Sequence, residues 1–335
     1  MPGLLERLLT RSGILPALRQ QVRDDISAAR TKLEAQLQDE FAALRREVKM
    51  MRATMMLDAE HVRRGFDVAP HLDAPRVAAH VAATIASARV ETDPSVHVVI
   101  DNLLPADTYQ ALIDGIPPRL FFTQREDSKQ NLKLDQLEIA PELTIRTLVF
   151  LENQLIPQMM VPALLRQFAS HIREFYVREY GPERGEMLAA IPHAATGGRL
   201  MLRRRGYHLD PHLDPRRVVF TTLIYFARPG ESETYGTSFY RMSAMPKIDR
   251  TSTFYPETQG IKCELVKLVP FRANTAVSFL NYGGAHGADI PKDAPADLER
   301  YAYQFYVSPD PAALAAVTGE TEEAGLSSEM SKATA

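Results

Sequence analysis

The segment Tyr207-His208-Leu209-Asp210-Pro211-His212-Leu213-Asp214 sets two histidines and two aspartates at regular spacing. In an extended segment residues i and i+2 point to the same face. Each His-x-Asp triplet can therefore aim an imidazole and a carboxylate at one point while the intervening leucine packs the other way. A third donor is His286, which follows the apolar run Ala276 to Leu280 and the pair Gly283-Gly284. Paired glycines permit a tight bend that turns the imidazole back toward the strands. Two imidazoles and one carboxylate on one face of a metal leave the other face open. That donor set suits a non-haem ferrous ion and oxygen chemistry.

Three His-x-Asp triplets compete for this role. His71-Leu72-Asp73 lies outside the strand-rich region and reads as structural. His212-Leu213-Asp214 is bracketed by Pro211 and Pro215 and sits closest to the strand-like run Val218 to Phe226, so it is the preferred pair. His208 and Asp210 are the alternative, or they line the entrance. His61, His80, His97, His171 and His193 carry no pattern that demands a ligand.

The elements that must position these groups follow from periodicity. Leu200 to Arg205, Val218 to Phe226, Thr237 to Met242, Lys262 to Leu268, Thr275 to Leu280 and Ala302 to Val307 are strand candidates rich in aromatic and β-branched residues. No convincing helix separates them, which favours an antiparallel barrel or sandwich over βαβ units. Upstream, Val96 to Ile100 predicts a strand and Ala106 to Asp114 a helix. Residues 118–145 read as an irregular substrate loop or lid. Apolar residues every four positions predict one strong helix over Glu152 to Tyr180, with Pro157 and Pro162 as start or kink points.

The N-terminal part differs in kind. Val22, Ile26, Ala29, Leu33, Leu37, Phe41, Leu44, Val48, Met51 and Met55 recur at threes and fours, and Val22, Leu33, Leu44 and Met55 form an eleven-residue series. Such a repeat gives a nearly straight helix that needs a partner for its stripe. The organisation expected is a helical, coiled-coil-like oligomerisation segment over 1–58 and a connector with short helices over 59–95. A strand-rich domain over 96–310 and a flexible tail over 311–335 complete it. The stripe predicts a homo-oligomer. Leu4, Leu5, Leu8 and Leu9 with Arg7 and Arg11 are candidates for a membrane interface or the end of a bundle.

A net charge of -3 gives no reason to expect nucleic-acid binding, and the single Cys263 excludes an intrachain disulfide. No uninterrupted apolar run reaches transmembrane length, and a cytoplasmic location is expected. Arg203-Arg204-Arg205 with Arg216 and Arg217 reads as a solvated rim or as recognition of an anionic substrate.

Around the metal candidates the sequence resembles the iron(II)- and 2-oxoglutarate-dependent oxygenases, in particular the prolyl-hydroxylase-like branch. The resemblance rests on Tyr207 through Asp214, Thr222-Leu223-Ile224-Tyr225-Phe226, Tyr235-Gly236-Thr237-Ser238-Phe239, Pro270, Val277-Ser278-Phe279, His286-Gly287 and Glu299-Arg300-Tyr301-Ala302-Tyr303. It covers about residues 97 to 309. It implies an α+β fold with a double-stranded β-helix (jelly-roll) core, supporting helices and the long N-terminal extension. It also implies iron(II) on His212, Asp214 and His286, with 2-oxoglutarate and O2 as cosubstrates. Arg300 would hold the far carboxylate of 2-oxoglutarate, with Arg272 as the alternative, and Tyr225, Thr222 or Tyr303 would add a hydroxyl. Tyr207, His208, Arg216 and Tyr282 are the candidates for substrate contact, with Phe121-Phe122 a further cleft lining. The reaction implied is hydroxylation with release of succinate and CO2. The alternatives are a cupin-like metal enzyme without 2-oxoglutarate and a non-catalytic oligomeric ligand-binding adaptor.

Overall fold

The computed structural model describes residues 14–123, 126–228, 230–245 and 252–319. The leucines and arginines at 4–11, and the tail beyond 319, lie outside the described residues. The chain divides into two units, Met1–Met56 and Leu57–Ala335.

In the first unit the expected helix is present. It belongs to α1, Ile14–Arg64, which continues past the expected boundary at 58. No breaker interrupts it until Gly65, at φ 62, and its last turn carries His61, Arg63 and Arg64, which suit a helix C-terminus. Pairs at i,i+4 such as Arg30–Glu34 (2.7 Å) and Gln36–Glu40 (3.0 Å) lace its polar face. The apolar stripe stays uncovered, with Leu33 at 56%, Leu44 at 54% and Met55 at 72% exposure.

The second unit begins with α2 (Ala74–Ser87), capped by Asp73, whose carboxylate accepts from the Arg76 amide. Then follow β1 (Val90–Glu91), β2 (His97–Asp101) and α3 (Ala106–Asp114). The segment expected to be irregular contains β3 (Lys129–Leu132), which pairs with the edge of the large sheet. Its polar sequence Lys-Gln-Asn-Leu hid it, yet Gln130 is fully buried.

The expected single helix starts earlier and is divided. It comprises α4 (Glu142–Phe150), a π-helical stretch Leu151–Met160 containing Pro157, α5 (Val161–Gln167) and α6 (Ala169–Tyr180). Pro157 lacks the donor that a regular turn needs, and the wider turn absorbs it. Glu142–Gln167 is long and apolar enough to cross a bilayer, but more than half of its most apolar window is buried in the fold. α7 (Pro182–Ala189) leads into the strands.

Those strands are β4 (His193–Arg203), β5 (His208–His212), β6 (Phe220–Tyr225), β7 (Thr237–Met242), β8 (Cys263–Val269), β9 (Thr275–Leu280), β10 (Gly284–Asp289) and β11 (Arg300–Pro309). They form two antiparallel sheets, one in the order β1-β2-β9-β6-β11-β4-β3 and one in the order β5-β10-β7-β8. From β4 onward the chain passes repeatedly between the sheets, which is the jelly-roll winding. Tyr225, Met201, Val277, Phe279 and Ala302 of the large sheet pack against Phe239 and Val269 of the small one. These residues define the inner face. Alternation then sends Thr222, Ile224, Tyr301 and Tyr303 to the outer face of the large sheet. There Phe168 meets Phe220 at 5.7 Å, and the helical segments close that side. The tail expected to be flexible from 311 starts as a helix, α8 (Pro311–Thr318), capped by Asp310.

Candidate metal centre

β5 and β10 are adjacent antiparallel strands, and His212 stands directly opposite His286 in their register. Cross-strand partners share a face, so the two rings lie side by side with centroids 4.1 Å apart. Asp214, two residues past His212, keeps the same parity and reaches both. Its Oδ1 is 3.9 Å from His212 Nε2 and its Oδ2 is 3.7 Å from His286 Nε2. All three residues are at least 94% buried, and their donor atoms lie within 4.8 Å of one another.

The surroundings fix these groups. His212 Nδ1 donates to the Asp210 carbonyl at 2.9 Å, which fixes the ring with Nε2 toward Asp214. Burial, and then the neighbouring His212, push His286 well below the usual imidazole range, so its ring is neutral and able to ligate. Thr221 Oγ1 on β6 donates to Asp214 Oδ2 at 2.5 Å. Asn281, at the end of β9, donates through Nδ2 to the carbonyls of Asp214 (2.8 Å), Pro215 (2.9 Å) and Val218 (3.1 Å) and so pins the turn that carries the carboxylate. Neither residue stands out in the sequence. Their only sequence signal is a polar side chain at the end of an apolar strand.

A buried carboxylate between two imidazole nitrogens fits a divalent cation held by two N donors and one O donor. Thr221→Val keeps the shape and removes the hydroxyl. We expect metal affinity to fall about 10- to 100-fold, with the fold retained. Competition against a chromophoric chelator measures this.

The other triplets are accounted for. His208 Nδ1 and Nε2 each meet a carboxylate, of Asp289 and Asp210, both at 2.8 Å. These two partners raise its pKa and leave no nitrogen for a metal. His71 pairs with Asp107 of α3 at 3.3 Å.

Arg300 opens β11 on the inner face and is 9% exposed. Its guanidinium lies 3.9 Å over the Phe271 ring, and burial brings its pKa down to about 10. Tyr225 lies on the same inner face, fully buried, with its hydroxyl 2.6 Å from Thr237 Oγ1. Arg272 instead pairs with Glu233 at 2.9 Å on the surface, which removes it as the alternative.

Four expected contacts fall elsewhere. The Thr222 hydroxyl donates to Ser278 (2.9 Å) on the outer face, and Tyr303, also outward, donates to Glu152 of the π-helical stretch. Strand alternation keeps both away from the metal ligands. Tyr282 accepts from Arg178 of α6 at 2.8 Å, and Arg216 stacks on Tyr180 of the same helix at 4.5 Å. Phe122 is buried, with its ring 5.7 Å from that of Tyr301.

Tyr207 and His208 do line an open cleft of about 300 Å³, together with Glu126, Ser128, Lys129, Asp210 and Tyr255. Tyr255 joins this cleft to the metal ligands, since its ring lies 5.8 Å from that of His212. Of the basic cluster, Arg203 is buried on the inner face, Arg204 pairs with Asp127 at 2.7 Å, and Arg205 and Arg217 are exposed.

No family model matches the chain, and no curated protein matches it. Solved structures do. A prolyl-4-hydroxylase from Pseudomonas putida is 16% identical, covering 70% of this chain and 99% of that one, with a TM-score of 0.37. A prolyl hydroxylase from Trichoplax adhaerens, in complex with a hypoxia-inducible-factor peptide, is 13% identical over 71% of this chain and 91% of that one, TM-score 0.37. HygX from Streptomyces hygroscopicus, with nickel, 2-oxoglutarate and hygromycin B bound, is 14% identical over 65% and 84%, TM-score 0.37.

Proposed function

We propose that this protein is an iron(II)- and 2-oxoglutarate-dependent oxygenase that hydroxylates an unactivated C–H bond. The balance is substrate C–H plus 2-oxoglutarate plus O2 giving C–OH, succinate and CO2. The observation that carries the reading is the pairing of His212, Asp214 and His286 with a buried Arg300 on the inner face of the same barrel. A three-ligand metal alone fits many reactions. A buried guanidinium with no carboxylate partner among the described residues calls for an anionic ligand inside the barrel.

Iron on the triad would supply oxygen activation, with 2-oxoglutarate as the electron donor. The protein's share is orientation. His212 and His286 would each offer an Nε2 atom, and Thr221 and Asn281 hold Asp214 in place. Arg300 would take the far carboxylate of the cosubstrate, with the guanidinium fork matched to its two oxygens. The Tyr225 hydroxyl would stand beside it. Tyr207 and Tyr255 would wall the approach from the cleft, and the opposed charges of Glu126, Asp210, Lys129 and His208 would suit a polar substrate.

The test is succinate formation by protein loaded with Fe(II) without oxygen, then given O2 and 2-oxoglutarate. Slow succinate release that needs all three is expected. Absence of both release and 2-oxoglutarate binding would sink the reading.

We further infer that two copies of the chain associate through α1. Eight large apolar side chains, Val22, Ile26, Leu33, Leu37, Phe41, Leu44, Met51 and Met55, are all at least 41% exposed. Burying each contributes about 1.5–3 kcal/mol. A second copy carries the same eleven-residue period, so its stripe matches in register over the whole length. The double substitution Leu33→Glu, Leu44→Glu is expected to convert a dimer to a monomer in light scattering and leave succinate formation unchanged. A monomeric parent protein would contradict this.

A further inference from the structure

Arg203 and Arg300 are directly opposed partners in the register of β4 and β11. Both therefore project to the inner face, and both are more than nine-tenths buried, at 7% and 9% exposure. Among the described residues no carboxylate lies within ion-pair distance of either, and each has a buried Nε–H without an acceptor. Like charges set opposite one another across a ladder repel, and a buried cation without a counter-ion costs several kcal/mol. A fold that keeps two such groups side by side implies an anion that both can reach.

One conventional arginine contact would leave Arg203 unexplained. We propose that Arg203 is a second cation for the far carboxylate of 2-oxoglutarate, so that this group is held by two guanidiniums from two neighbouring strands. This rests on the functional reading above. A carboxylate offers about four lone-pair directions, enough for two donors on each oxygen. The charge is shared as follows. Arg300 lies flat on Phe271 and has no hydrogen-bond partner among the described residues, so it depends on the ligand most. Arg203 Nη1 already meets the carbonyls of Gln130 (2.8 Å) and Leu202 (3.1 Å) and Oδ1 of Asn131 (3.0 Å). Those oxygens offset part of its charge and fix the fork, while Nε–H stays available. Its face stacks on Tyr207 at 4.9 Å, the residue that lines the cleft. Burial lowers the pKa of both groups, consistent with a site short of negative charge.

The test is calorimetric binding to Zn(II)-loaded protein, which cannot turn over. The ligands are 2-oxoglutarate and 2-oxopentanoate, which has the same chain length without the far carboxylate. Arg203→Met should weaken 2-oxoglutarate about 10- to 100-fold and leave 2-oxopentanoate unchanged. Arg203→Lys, which keeps the charge, should lie between. In the unmutated protein two protected arginine Nε–H resonances should shift on adding 2-oxoglutarate, a readout that does not depend on the variants folding. Equal binding of 2-oxoglutarate by parent and Arg203→Met, equal losses for both ligands, or a shift of one resonance only would overturn the role of Arg203. If Arg300→Met then still loses 2-oxoglutarate, only the second cation falls. If the parent protein binds no 2-oxoglutarate, the functional reading falls with it.

Discussion

His212→Ala is expected to abolish tight Fe(II) binding and, with it, succinate formation. The loss should exceed 100-fold, because even partners that merely orient a ligand are worth about 10- to 100-fold in metal affinity or activity. Two features make the effect large. The site has three protein donors, all buried, and no fourth His, Cys, Asp or Glu joins them among the described residues. The position opposite His212 is His286, so removing one imidazole leaves the other facing a cavity beside a buried carboxylate. The contrast variant is His208→Ala, only four positions away. Both nitrogens of His208 are engaged by Asp289 and Asp210, and its ring is exposed, so metal affinity should stay within a few-fold of the parent. Metal analysis after dialysis, followed by a succinate assay, measures both. Loss of metal in His208→Ala with retention in His212→Ala would reverse the assignment of the two triplets.

Arg300→Met is expected to raise the KM for 2-oxoglutarate about 100-fold while kcat at saturation changes little. Hydrogen bonds to charged groups are worth about 1.5–3 kcal/mol when one partner is removed, which sets that scale. The lost contact is made in the ground state and the transition state alike, so the effect falls on KM. The same substitution has an opposite effect on the ligand-free protein. Arg300 is a buried cation whose pKa is brought down to about 10, below the ordinary arginine range, mainly by burial. A base whose folded pKa is depressed destabilises the folded state while it is charged. That cost is complete at neutral pH and would be relieved only as the pH rises above about 10 toward the ordinary arginine range, where the unfolded chain still holds the proton. Methionine removes it, so ligand-free Arg300→Met should melt higher than the parent at neutral pH. Added 2-oxoglutarate should raise the melting temperature of the parent and not of the variant. A variant that melts lower without ligand would show that Arg300 is already paired in the resting protein.

The clustering of His212, Asp214 and His286 was legible because such chemistry leaves a local trace. His-x-Asp has the parity of a strand, and the second triplet sits at the mouth of a strong apolar run. The strands Thr237–Met242 and Thr275–Leu280 were legible for the same reason, being dense in aromatic and β-branched residues. β5 and β10 were harder. His-Leu-Asp-Pro-His and Gly-Ala-His-Gly-Ala-Asp have little apolar periodicity, and both are strands because of what pairs beside them. Gly284 and Gly287 are needed there, since a Cβ would meet the Tyr240 and Leu209 carbonyls at 2.8 and 2.7 Å. β3 shows the same limit.

The supporting residues were harder still. Thr222 and Thr221 are adjacent and chemically alike, and only the register decides which faces Asp214. Tyr303 and Tyr225 differ by the same parity. Arg203 read as part of a basic rim because three arginines in a row look solvated. The strand ends at Arg203, which turns the first inward and releases the third to solvent.

The measurement that bears most directly on the account is binding of 2-oxoglutarate to the Fe(II)-loaded protein without oxygen, followed by calorimetry beside the metal-free protein and His212→Ala. One site per chain is expected, which needs the metal, weakens strongly in Arg300→Met and is lost in His212→Ala. Absence of binding to the loaded protein, or binding that is indifferent to the metal and to His212, would contradict it.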